Sequence, residues 1–115
     1  MTEKDFTRKL MPAIRHHPEL AEGAIFKLND YYSAGIPDFC ISLHGKTIWC
    51  EIKVEPNKPT NLQMYYLKRM LPSYVITHNF KTGYTEFASI EPIWSDVFNF
   101  NDLVEAIVCQ AKGGR

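Results

Sequence analysis

The segment from 38 to 54, DFCISLHGKTIWCEIKV, restricts the fold of this chain more than any other stretch, because its side chains alternate in character over two consecutive runs. Alternation of period two belongs to strands with one face buried. A two-residue turn at His44-Gly45 pairs Leu43 with Lys46 and makes the segment an antiparallel hairpin. One face then carries Phe39, Ile41, Leu43, Ile48, Cys50, Ile52 and Val54, and must be the core side. The other carries Asp38, Cys40, Ser42, Thr47, Trp49, Glu51 and Lys53.

In that register Asp38 lies opposite Glu51, with Cβ atoms about 4.5–5.5 Å apart, and like charges so placed destabilise a sheet. A divalent cation held by both carboxylates removes the conflict, and hard oxygen ligands suit Mg²⁺. Lys53 follows on the same face, close enough to offset charge or hold a water. Two acids and a lysine are the groups that metal-assisted phosphodiester hydrolysis requires. The plainer reading makes Asp38 a turn residue after Pro37 and places Glu51 and Lys53 on a solvated strand. Against it stand the rigid turn Gly35-Ile36-Pro37, which fixes the start of the Asp38 strand, and Trp49, an expensive residue on a merely wet face.

Around the hairpin the chain reads as a mixed α/β layout of helix, three strands, helix, two strands and helix. Thr2 caps a first helix with Phe6, Leu10 and Ile14 spaced four apart, which Pro12 is expected to kink or divide. AIFKL (24–28) is a strand, followed by a turn-like segment from 29 to 37. Residues 55–59 form a polar loop, and 60–71 a helix ended by Pro72. SYVITH and YTEFASI are strands joined around Lys81, Thr82 and Gly83. The last helix, 101–112, buries Leu103, Ala106, Ile107 and Cys109 or Gln110 before Gly113-Gly114.

Composition sets limits on partners. Thirteen basic and thirteen acidic side chains give zero formal net charge, so a nucleic acid must be held by a local patch or a metal rather than a global field. Five basic residues (Lys46, Lys53, Lys58, Lys68, Arg69) crowd one stretch, while 86–105 holds five acids and no Lys or Arg. Three cysteines without a C-x-x-C pair argue against a disulfide framework or zinc knuckle and suit a reducing cytoplasm. The polar start MTEKDFTRK lacks a secretory signal, and no apolar run reaches membrane length, so a cytoplasmic location is expected. His16, His17, His44 and His78 form no metal-ligand pair and are expected to be solvated. Hydrophobic residues at 45% suffice for one compact domain over 1–115.

Gly35-Ile36-Pro37-Asp38, Glu51-Ile52-Lys53 and Gln63, in this order and spacing, resemble the PD-(D/E)xK nuclease superfamily, and within it the VRR-NUC group. The resemblance covers mainly residues 24–70. It implies a restriction-endonuclease-like fold, a central mixed β-sheet flanked by helices, and a metal-dependent DNA endonuclease that cuts non-specifically or by structure, as on branched or four-way-junction DNA. Asp38 and Glu51 would bind Mg²⁺ or Mn²⁺ with the Ile52 carbonyl; Lys53 would position or deprotonate the attacking water; Gln63 would support the site. Relatives place an acid on the first helix, for which Glu3 is the candidate. Lys27, Lys58, Lys68 and Arg69 are candidate DNA contacts, and Tyr65 and Tyr66 fit core and rim. Small relatives of this kind are dimers, some of them phage-encoded, so a homodimer is expected. The alternative is a nucleic-acid-binding or interaction protein that keeps the fold without turnover. Thr60-Asn61-Leu62-Gln63 also matches the capping box S/T-x-x-E/Q, a second employment for Gln63 that is compatible with the first.

Overall fold

The computed structural model describes residues 1–28 and 34–114. Its elements are helix α1 (Glu3–Arg15), a 3-10 turn (Pro18–Leu20), strands β1 (Ala24–Lys27), β2 (Phe39–Leu43) and β3 (Lys46–Val54), helix α2 (Asn61–Leu67), strands β4 (Ser73–His78), β5 (Thr85–Ser89) and β6 (Trp94–Phe98), and helix α3 (Phe100–Ala111). The six strands form one sheet in chain order. Every pairing is antiparallel except β3 with β4, which run parallel because α2 carries the chain across between them. The α/β architecture is therefore a mixed sheet flanked by helices.

The expected hairpin forms in the expected register: Leu43 faces Lys46 and Phe39 faces Cys50. Both turn residues, His44 and Gly45, have positive φ (50° and 80°), the combination that matches a two-residue loop to strand twist. Phe39, Ile41, Leu43, Ile48, Cys50 and Ile52 are buried on the core face with Tyr74, Ile76 and Phe87 of the neighbouring strands. Helices α1 and α3 close that face through Phe6, Leu10, Met11 and Ile14 and through Leu103, Val104, Ile107 and Val108. Helix α2 packs on the opposite face, where it meets Glu51.

Several expectations are corrected. Pro12 does not divide α1; it is exposed, so the backbone bond it cannot donate is lost on the wet side while Met11 and Ile14 stay packed. A sixth strand, Trp94–Phe98, was hidden because this edge strand is exposed along its middle and lacks a continuous apolar run. Helix α2 ends at Leu67, leaving Leu71 exposed rather than on an apolar stripe. In α3 Leu103 and Ile107 are buried as expected, but Val104, Val108 and Ala111 complete the line in place of Ala106 and Cys109 or Gln110. His78 is buried, stacked on Phe6 at 4.3 Å between ring centroids and bonded through Nδ1 to Thr85 Oγ1 at 2.8 Å. The turn expected over 29–37 lies partly outside the described residues. Among them no helix is long and apolar enough to cross a membrane.

Candidate active site

The end of β2 and the middle of β3 bring the two acids together. Asp38 stands one residue before the Phe39–Cys50 pair, so continuing the ladder sets it opposite Glu51. Its Oδ2 accepts the Ile52 backbone N–H at 2.7 Å, which holds the carboxylate on the β3 edge. Trp49 and Glu55 give their N–H groups to the β4 side, to Pro72 and His78 carbonyls. Ile52, of opposite parity, is turned toward β2, and its carbonyl shares the side on which Asp38 sits. Ahead of Asp38, Gly35 takes φ +88° and lies so close to α2 that an added Cβ would stand 2.6 Å from Leu62 Cγ. The Gly35-Ile36-Pro37 approach thus packs the start of the acidic strand against the helix that carries Gln63.

Glu51 is only 2% exposed. Its Oε2 receives Gln63 Nε2 at 3.0 Å and Lys53 Nζ at 3.4 Å. Its Oε1 is the one buried side-chain polar atom among the described residues with no hydrogen-bond partner. At an effective dielectric of about 20, the Lys53 contact contributes about 5 kcal/mol of gross attraction. Desolvation removes several kcal/mol per ion, and Asp38 adds repulsion, so the attraction does not win. Burial first, then the Asp38 charge, raises the Glu51 carboxyl to about 8, against the opposing pull of Lys53. Asp38 is raised as well, by burial, although the Ile52 N–H and Lys53 favour its charged form.

Glu3, at the start of α1, faces Asp38 across a cavity of about 220 Å³ lined also by Lys4, Thr7, Met11, Lys27, Phe39 and Ile52. Its carboxyl is raised by burial and by Asp38, with Lys53 acting the other way. The capping of α1 by Thr2 and Asp5 fixes where that first turn lies. Lys4, Thr7 and Met11 escaped the sequence reading; Glu3, Thr7 and Met11 are spaced four apart, a second stripe on α1 beside the apolar one.

The remaining expected residues scatter. Lys27 lies at the cavity and near enough to favour the charged form of Asp38. Lys58 lines a separate groove with Val75, Thr77 and Glu86, on the sheet face that carries Lys53. Lys68 and Arg69 follow the end of α2, with Arg69 stacked 3.6 Å from the centroid of its neighbour Tyr65 and bonded to that residue's carbonyl. Tyr65 is about half exposed and Tyr66 only partly buried, so both are rim and neither is core. Among the described residues, His17 is the one histidine that joins a metal-like group: its ligand atom lies within 4.8 Å of those of Glu19 and Glu105, away from the acid pair.

Asp38, Glu51 and the Ile52 carbonyl form a set of hard oxygen donors, and the orphaned Oε1 is what a divalent cation would satisfy; the residues present therefore fit Mg²⁺ or Mn²⁺. No protein-family model matches the sequence, and no curated protein matches it. Among solved structures, the chain is similar to Hjc, a Holliday junction resolvase from the archaeal hyperthermophile Archaeoglobus fulgidus, with 11% identity over 92% of this chain and 97% of that one, at a TM-score of 0.47.

Proposed function

We propose that this chain is a metal-dependent endonuclease whose catalytic groups are Asp38, Glu51 and Lys53, with Gln63 and Glu3 in support. One observation carries the reading: a buried glutamate beside a second acid, with donors gathered on one oxygen and the other oxygen unanswered. A fold has no structural use for that conflict, and perturbed acids in a cleft are where chemistry is found. A divalent cation held by Asp38, Glu51 and the Ile52 carbonyl would supply Lewis acidity toward a phosphate and acidify the attacking water. Lys53, side chain 14% exposed, sets a cation at the mouth of the acid pair, where it holds that water and offsets charge developing on the phosphate. Gln63 donates to Glu51 and keeps its Oε2 occupied. Lys27 borders the cavity that Glu3 and Asp38 line and is placed to meet a neighbouring phosphate.

The substrate class proposed is DNA, cut without sequence reading and with preference for branched forms, by a homodimer whose two-fold axis sets two sites against symmetric strands. The motif resemblance supports this, and so does the lack of any described element built to enter a groove. Incubation with supercoiled, single-stranded and four-way-junction DNA, with and without Mg²⁺ or Mn²⁺, tests it. The expected outcome is cleavage that needs the metal, the wild-type acids and Lys53. Metal-independent cleavage would overturn the assignment of the site. Binding of DNA without cleavage under any metal would replace it with the non-catalytic reading.

A further inference from the structure

Gln63 serves two masters at once. Its Oε1 accepts the Thr60 backbone N–H at 2.8 Å, its own N–H goes to Thr60 Oγ1 at 3.1 Å, and its Nε2 donates to Glu51 Oε2 at 3.0 Å. The amide has one acceptor end and one donor end. Because the cap consumes the acceptor end, the donor end is the only one left to meet the carboxylate. Turned over, the amide would set two donors face to face at Thr60 and two oxygens face to face at Glu51, losing both bonds together. The helix cap therefore decides the polarity of a group inside the site.

We infer that Thr60 is a positioning residue: its backbone N–H, held by the capping box against Gln63 Oε1, locks the Gln63 amide as a donor to Glu51 Oε2, and so reserves Oε1 for a cation. The inference rests on the metal-site reading above and extends it to a residue that touches neither cation nor substrate. The contact of Gly35 with Leu62 strengthens the case, since it seats the same first turn of α2 against the loop leading to Asp38. Thr60 itself is exposed and contributes no charge, so its influence on the acids passes through the Gln63 amide. Outer partners of metal ligands commonly shift affinity by 10–100-fold, and a residue acting one bond further out belongs at the low end of that range.

The test compares Thr60→Pro, which removes the N–H at a φ of −69° that proline accepts, with Thr60→Ala, which keeps the N–H and loses only the hydroxyl, and with Asn61→Gly. The last weakens α2 at an exposed position that lies outside the Thr60–Gln63–Glu51 chain of bonds, and controls for helix stability alone. Mn²⁺ affinity is read by calorimetry, and the Gln63 side-chain amide by ¹⁵N NMR. Thr60→Pro should weaken Mn²⁺ binding about tenfold, whereas Thr60→Ala and Asn61→Gly stay within about twofold of wild type. The wild-type Gln63 amide protons should be shifted and slow to exchange with solvent, and Thr60→Pro should return them to the position of a free glutamine. Equal Mn²⁺ affinities in Thr60→Pro and Thr60→Ala would overturn the inference, as would a wild-type Gln63 amide that behaves as a solvated one. Wild type that binds no Mn²⁺ would sink the metal-site reading, while the NMR comparison would still decide whether Thr60 orients Gln63.

Discussion

Two groups of acids in this molecule are each brought together by the fold, and they differ in how they are served. Near the surface, Glu19 and Glu105 flank His17, but each has a protein partner: Glu105 the His17 Nε2 at 2.9 Å, Glu19 the Lys112 ammonium. Both acids keep roughly half or more of their side chains in solvent. In the sheet, Asp38 and Glu51 are drawn from water, Lys53 alone forms an ion pair with Glu51, and an oxygen of Glu51 is left without a partner. The first group is neutralised by the fold, the second is left in deficit. Closeness of ligand atoms therefore does not mark a cation site; unmet electrostatic demand does.

The largest effect that separates the two regions is on cleavage. Lys53→Ala should lower it on the order of 10³-fold while leaving DNA affinity in Ca²⁺ within a few-fold, because the lysine acts on charge that develops during reaction. Glu105→Gln should leave cleavage unchanged. If saturating Lys53→Ala restores near-normal cleavage, the lysine is a phosphate anchor and nothing more.

Metal response comes next. At about a hundred times its Kd, a cation bound only by the folded state stabilises by about 2.7 kcal/mol. Thermal melts with millimolar Mg²⁺ or Mn²⁺ should show that rise in wild type and in Glu105→Gln, and lose it in Glu51→Gln. Loss in Glu105→Gln instead would transfer the cation to the surface cluster.

The pH response of the metal-free protein has opposite signs in the two regions. Glu51, raised in the folded state, contributes stability that is fully present below its unfolded pKa and is lost as pH rises through about 8. Metal-free melting temperature should therefore fall between pH 5 and 9, and Glu51→Gln should flatten the decline, exceeding wild type at the alkaline end on the order of 2 kcal/mol. Glu19, lowered by its bond to Lys112, contributes stability that is present above its unfolded pKa and is lost as pH falls through its folded value. That contribution is small, because both partners lie in solvent. Smallest of all should be Glu105→Gln at neutral pH, a melting shift no larger than surface ion pairs produce. A shift rivalling that of Glu51→Gln would erase the contrast.

The hairpin was legible because alternation, turn chemistry and burial all pointed to one register: the same side chains that make the core face place Asp38 against Glu51. Gln63 was legible as two readings; the structure shows the capping box, and it brings the other end of the same amide to Glu51. The edge strand β6 was not legible, because an exposed strand needs no apolar run and keeps no pattern of its own. Neither was the buried state of His78, whose aromatic partner Phe6 lies 72 positions away and meets it only when α1 packs on the sheet.

What the sequence determined by itself is local: strand faces, turn residues, helix caps and the opposition of two acids, all fixed by the period of the backbone and the chemistry of neighbours within a few residues. Tertiary structure alone decided how those acids are served. Glu3 reaches the cavity because α1 packs beside β3, and Gln63 meets Glu51 because the crossover lays α2 on the opposite face. The shortage of donors at Oε1 exists only once water has been displaced on every side, and displacing it takes elements from the whole length of the chain.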